Sequence, residues 1–492
     1  MMNAAIKHTL LISHLLLLPA LQVARAQRVP TGIYAVVVEK VVAPFQTEGL
    51  SRKAVNSRLI SLYGGLLNNP AVSGLTLQIH WDTLNPHPPA HTSPYFWDYV
   101  DDAFSAVQSW NDNNPSATPK TIQLIVTPGF NSPQWVRNEL KSCDGLFYSP
   151  QVLPEASCGK VTFSYFKEGG DSMELPLPWN TTYQAAWKTF LQALAARYNG
   201  NPAFVSIAVA GPTAASAEMI LPNDGSGGQP QFMAFGGADI MPSDIWKALL
   251  QLEYPDNPAY WGTDQAFIDA WDNAIDTYGE VFNNITLVAT TGNGLPKFPS
   301  TAGPFPAPTA PIDFTPDCPP AGNMDCQAET AILSHFVQSS VGGSNANATQ
   351  TSGLEATRTG SGYLGVVGVR YLSQQTAGSS MTSQILGGAQ FNNPLSIDNG
   401  AKIAGGSPIF AQALFNMLQD FFRGTSAAAL YCEPSPAAPA PLNYLQIYYQ
   451  DIQFVSSHGA ATSVTEGCAT VTVSPQEELN TASEQVFELE EP

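Results

Sequence analysis

Short apolar, β-branched runs alternate along this chain with longer stretches in which apolar side chains return every third or fourth position. The run at 33–42 (IYAVVVEKVV) has the composition of a buried strand, and Val55, Leu59, Leu62 and Leu66 follow at helical spacing. The pairing recurs: 74–81 (GLTLQIHW) precedes a helix with Val100, Phe104 and Val107 on one face. A third strand, 121–127 (TIQLIVT), is separated by a long segment from the amphipathic run Tyr183, Trp187, Phe190, Leu191, Leu194 and Tyr198, which Gly200 closes. The fourth strand, 204–210, stops at Gly211-Pro212 because proline has no N–H to give a ladder. Helices around 245–250 and along Phe267, Trp271, Ile275 and Tyr278 come next. The remaining strands are expected at 285–289, 348–354, 384–391 and 442–448, with helices at 331–337, at 364–372 and along Phe410, Leu414, Met417, Leu418 and Phe421. A short strand-like addition at 462–473 ends the pattern.

Strands that alternate with helices pair in parallel, because each return crossover needs about a helix's length. Eight such units predict an α/β chain closed into a (β/α)8 TIM barrel, with long insertions after strands 3, 4 and 5. Those insertions follow the strands' C-terminal ends, where a barrel enzyme builds its active site. One domain is expected over 27–474, followed by an acidic, aperiodic tail at 475–492. The first residues read as an address label. Lys7 and His8 precede the apolar run 10–18, and Ala24-Arg25-Ala26 supplies a small-x-small cleavage site, so 1–26 is read as a signal peptide and the protein as secreted, extracellular or periplasmic. No later segment has the roughly 18 to 20 apolar residues of a membrane helix.

Composition narrows the partners. Forty acidic against 20 basic residues give a formal charge of −20. Such a surface repels phosphate backbones and anionic lipid, which disfavours nucleic acid and membrane surfaces and leaves neutral or cationic partners. The six cysteines fall into local couples, Cys143 with Cys158, Cys318 with Cys326 and Cys432 with Cys468, each closing a loop-like segment, and three disulfides are expected. No CxxC couple exists, so no metal site is expected, and no cofactor is implied. Sequons stand at Asn180, Asn284 and Asn347.

Glu218 is the first candidate for chemistry, since an acid just past the fourth strand is presented at the barrel's C-terminal rim. Against it stands a plain surface glutamate. Trp81, Trp135 and Trp179 are either stacking platforms for a ligand's apolar face or packing residues, whereas Trp187 and Trp271 lie on helical apolar faces and read as core. His80, at a strand end, is placed to hydrogen-bond a ligand, while His87 and His91 read as loop residues. Gly170-Asp171-Ser172-Met173 sits in an insert and reads as a chance match to an esterase box.

Several of these residues form a pattern. His80-Trp81-Asp82-Thr83-Leu84-Asn85-Pro86 with Tyr95-Phe96-Trp97-Asp98 resembles the signature after the second strand of retaining clan-A glycoside hydrolases such as the family 42 β-galactosidases. Pro128-Gly129-Phe130 with Ser132-Pro133-Gln134-Trp135-Val136 resembles the segment that ends their third strand, and 444–448 resembles their closing strand. The resemblance implies a barrel that hydrolyses glycosides, with an acid/base glutamate after strand four and a nucleophilic glutamate after strand seven. Glu218 matches the first position's neighbourhood, though without the family's preceding Asn. At the second an amide, Gln390, stands where the nucleophile belongs, and Gln446 is another amide on strand eight. The second carboxylate therefore falls to Glu355, with Asp451 and Asp82 behind it, and His80, Trp81, Asp82, Trp135, Gln390, Tyr448 and Asp451 are the expected substrate contacts. The expected partner is a neutral sugar or polysaccharide. The alternative is a barrel that binds carbohydrate without cleaving it, which the amides would explain. Nothing in the sequence fixes an oligomeric state.

Overall fold

The first apolar run becomes β1 (Gly32–Val38), and the helical pattern after it becomes α1 (Arg52–Leu67). They begin an alternation that continues through β2 (Val72–His80), the single turn α2 (Trp81–Leu84), α3 (Asp98–Asn113) and β3 (Thr121–Thr127). In this computed structural model the described residues are 30–39, 52–148, 158–165, 172–214, 217–224, 232–234, 242–282, 284–296, 298, 328, 331–332, 335–336, 354–359, 362–369, 444–449, 452–453, 462–466, 469–474, 476 and 480. The leader 1–26, the expected strand at 384–391, the expected helix at 410–421 and the other two cysteine couples lie outside them.

The long segment after β3 carries α4 (Gln134–Glu139), α5 (Gly145–Tyr148) and the antiparallel pair β4 (Lys160–Tyr165) and β5 (Ser172–Pro176). A disulfide joins Cys143 to Cys158, as expected. The amphipathic run is α6 (Thr181–Tyr198), whose start is fixed by Asn180: its side-chain oxygen accepts the Tyr183 N–H at 3.0 Å. Next come β6 (Phe204–Ala208), β7 (Glu218–Ile220), β8 (Phe232–Ala234), α7 (Pro242–Glu253), α8 (Gln265–Val281) and β9 (Thr286–Gly294). The chain then gives β10 (Leu354–Thr359), β11 (Gly362–Val369), β12 (Tyr444–Tyr448) and the hairpin β13 (Thr462–Glu466) with β14 (Ala469–Val473).

β12, β1, β2, β3, β6 and β9 pair in parallel, in that order, as one curled sheet flanked by helices. The two faces of the sheet are chemically different. Ile33, Ala35, Val37, Leu75, Leu77, Ile79, Ile122, Leu124, Ile207, Leu287 and Ala289 join the core shared with the helices. The residues between them on the strands point to the other, concave side, by the pleat's period of two. That side holds a buried polar layer: Thr76 donates its hydroxyl to the Gln123 side-chain oxygen at 2.6 Å, and the Gln446 amide donates to the same oxygen at 2.9 Å.

The sheet departs from the expected regular alternation on its far side. The segment 364–372 was expected to be a helix, yet β11 is a strand, hydrogen-bonded antiparallel to β10 and parallel to β12. Composition explains this: Gly362, Gly365 and Gly368 weaken a helix, while Val366, Val367 and Val369 suit a pleated ladder. β10 also pairs antiparallel with β9. Gln476, in the segment expected to be an aperiodic tail, exchanges amide hydrogen bonds with Asn69 at 3.0 and 3.1 Å.

Candidate active site at the strand ends

The strand ends gather the candidates because the apolar runs stop there together and the chain turns outward. β1 is followed by Glu39, β2 ends at His80, and β3 ends at the buried Thr127. After β3, Gly129 adopts φ +71° and lets the chain pass close to the loop after β6, where the Phe130 N–H donates to the Ala214 carbonyl at 2.6 Å. The Asn131 amide donates to the Thr127 hydroxyl at 3.0 Å. The same φ at Gly129 is thus what sews two rim loops together.

Glu218 sits where this stitching leads. β6 pairs with β9 only as far as Ala208 opposite Val288, and β7 takes up the same edge of β9 beyond that point, with Glu218 in register with Thr290. The turn between is closed by the Ala214 N–H, which donates to the Ile220 carbonyl at 2.7 Å. Met219 is fully buried in the helix-side core, so alternation puts the half-buried Glu218 on the opposite, concave face. On the other edge of β9, β10 places Glu355 in register with the same Thr290. The backbones of Glu218 and Glu355 therefore flank one residue, two strand spacings or about 10 Å apart.

A second acidic group lies at the ends of β1 and β2. Glu39 Oε2 accepts the His80 backbone N–H at 2.6 Å and lies 3.5 Å from His80 Nδ1, while Glu39 Oε1 accepts the Thr83 hydroxyl. Asp82 lies in the turn so held. Burial raises its pKa above the usual aspartate value, and the Glu39 charge adds to this; His80, Arg137 and the Thr83 backbone N–H pull it back. Arg137 is itself oriented by the Phe130 carbonyl, 2.9 Å from Nη1, and by Glu174 at 3.9 Å. Glu39 was not singled out from the sequence, although the signal was present: it is an acid at the end of the apolar run 33–38, the same logic that picked out Glu218.

The aromatic candidates separate. Trp81 is completely buried, its indole N–H donates to the Asn85 side-chain oxygen at 3.2 Å, and Tyr183, Trp187 and Phe190 surround its ring. Its faces belong to the core. Trp179 is likewise packed against Trp246 and Phe267. Trp135 is partly buried and donates its N–H to the Asn85 carbonyl at 3.0 Å. His87 and His91 lie against one another, with ring centroids 4.2 Å apart and planes tilted by 34°, in an exposed loop. Tyr448 ends β12 in register with Val36, while Gln390 and Asp451 lie outside the described residues. Among the described residues there is no cluster of three His, Cys, Asp or Glu side chains able to hold a metal ion, and no helix long and apolar enough to cross a membrane.

No family model matches the chain, and no curated protein does. Among solved structures, the β-galactosidase from the psychrophilic Marinomonas ef1 is similar over 53% of this chain and 37% of its own, at 12% identity and a TM-score of 0.28. The β-galactosidase from Bacillus circulans sp. alkalophilus is similar over 54% of this chain and 37% of its own, also at 12% identity, with a TM-score of 0.27. The chain thus spans little more than a third of the length of either.

Proposed function

We propose that this chain is a secreted glycoside hydrolase of the (β/α)8 class that cleaves O-glycosidic bonds of a neutral sugar or polysaccharide, with Glu218 as acid/base and Glu355 as the second carboxylate. The observation that carries the reading is the register in which both glutamates flank Thr290 at one end of the sheet. Glycoside cleavage needs one protonated carboxyl to help the leaving oxygen depart and one ionised carboxylate on the other side of the sugar, roughly 5 Å away for retention or 6.5–9.5 Å for inversion. A backbone spacing of about 10 Å sets the scale for the wider arrangement. In that arrangement the Glu218 carboxyl gives its proton to the glycosidic oxygen as the bond from that oxygen to the anomeric carbon breaks. Glu355 takes a proton from a water whose oxygen forms the new bond to that carbon. His80, Asp82 and Trp135 line the same rim as groups for sugar hydroxyls and ring faces. The acidic net charge agrees with an uncharged substrate.

A panel of aryl glycosides, assayed with the natural protein and with Glu218→Gln, tests this. Loss of a positioned acid lowers kcat/KM by about a hundredfold to ten-thousandfold. Equal rates remove Glu218 from the chemistry, and sugar binding without any turnover by the natural protein replaces the hydrolase with a carbohydrate-binding barrel.

A further inference from the structure

We propose that Glu39 is a positioning residue for Asp82, tying the β2–α2 turn that carries it to the end of the neighbouring β1 and so placing Asp82 at the mouth to contact a bound sugar hydroxyl. The sugar in this statement rests on the glycosidase reading, while the tie does not. One Glu39 oxygen takes the His80 backbone N–H at 2.6 Å and the other takes the Thr83 hydroxyl, so a single carboxylate grips the turn on both sides of Asp82. Glu39 is largely shielded, its side chain 14% exposed, whereas that of His80 is 36% exposed. Shielding keeps such a charged hydrogen bond strong and makes its loss costly, because two donors would be left without their acceptor.

The tie has an electrostatic consequence. Burial already disfavours the ionised form of Asp82, and the Glu39 carboxylate disfavours it further, against the pull of His80 on β2, Arg137 on α4 and the Thr83 N–H. A neutral aspartic acid donates a hydrogen bond, which an aspartate cannot. Glu39 thereby favours the donor form while keeping the turn in place.

The experiment follows the Asp82 carboxyl by NMR in protein labelled at the aspartate carboxyl carbons, with Asp82→Asn to assign the signal, in the natural protein and in Glu39→Gln. The glutamine keeps the shape and one acceptor but not the charge. We expect the Asp82 midpoint to move down, because the charge that raises it is gone. Glu39→Ala, which removes both acceptors, should weaken sugar binding about tenfold, and should add nothing when Asp82 is already Asn. An unmoved midpoint in a folded Glu39→Gln protein, or additive effects in the double variant, overturns the proposal. The midpoint is read without substrate. A shift in a protein that cleaves no glycoside therefore upholds the tie and sinks only the hydrolase reading.

Discussion

The indole of Trp81 meets that of Trp187 edge-on, with ring centroids 4.8 Å apart and planes inclined by 66°. This contact joins the turn after β2 to the middle of α6, and it places the largest side chain of the rim motif inside the core. Trp81→Ala should therefore cost about 3–5 kcal/mol of stability, the range for truncating a buried large aromatic. Chemical denaturation measures it. A variant of unchanged stability but raised KM would return Trp81 to the substrate.

Gly129 makes a sharper case, because two independent penalties coincide. Its φ of +71° strains any L side chain, and a Cβ there would stand 2.1 Å from the Thr213 carbonyl oxygen and 2.2 Å from that of Ala214. Both obstacles are backbone, so neither can rotate away. Gly129→Ala should lose about 3 kcal/mol or more, from the strained dihedral together with overpacking. It should also lower activity, since the loop it displaces is the one that leads to Glu218. A loss below about 1 kcal/mol would mean that the two loops part easily.

How much of this was legible in the sequence depends on where each residue's partners lie. The strand 121–127 was legible to the residue, because its β-branched and apolar composition, interrupted only by Gln123, is a local signal that needs no outside information. The long helices α1, α3, α6, α7 and α8 were legible for a local reason too, their period. The segment 364–372 was not, since Leu364, Val366 and Val367 serve either period, and its glycines, the better signal, carry meaning only beside a ladder partner such as β12. The site shows the same divide. Glu218 announced itself as an acid past a strand, but its register beside Thr290, with Glu355 across the same residue, is a property of β9 and β10 pairing over a long stretch of chain. Glu39 went unseen because the first run was read through to residue 42, which put the acid inside a strand that ends at Val38, and its donors, His80 and Thr83, lie 41 and 44 residues away. Whether Trp81 packs or binds was decided by three aromatic rings on α6, about which its own neighbours say nothing.

Away from the mouth, α8 carries an acidic face whose pH dependence can be worked out. Burial pushes Asp272 up to about 6, with Asp269 and Asp276 adding to the effect and His335 opposing it. His335 lies 3.8 Å from Asp272 and 3.0 Å from Asp276. Because the folded value exceeds the unfolded one, the folded state holds a proton that the unfolded chain has released. The associated stability is complete below the unfolded value of 3.8 and is lost as pH rises through about 6. Asp272→Asn has no such proton to lose. It should match the natural protein near pH 4 and exceed it at pH 7 by about 1 kcal/mol, the full shift being discounted for partial exposure. Denaturant titrations at the two pH values measure the difference. If Asp272→Asn is instead the less stable protein at pH 7, the ionised carboxylate is held by His335 more strongly than burial opposes it, and the sign assigned here is wrong.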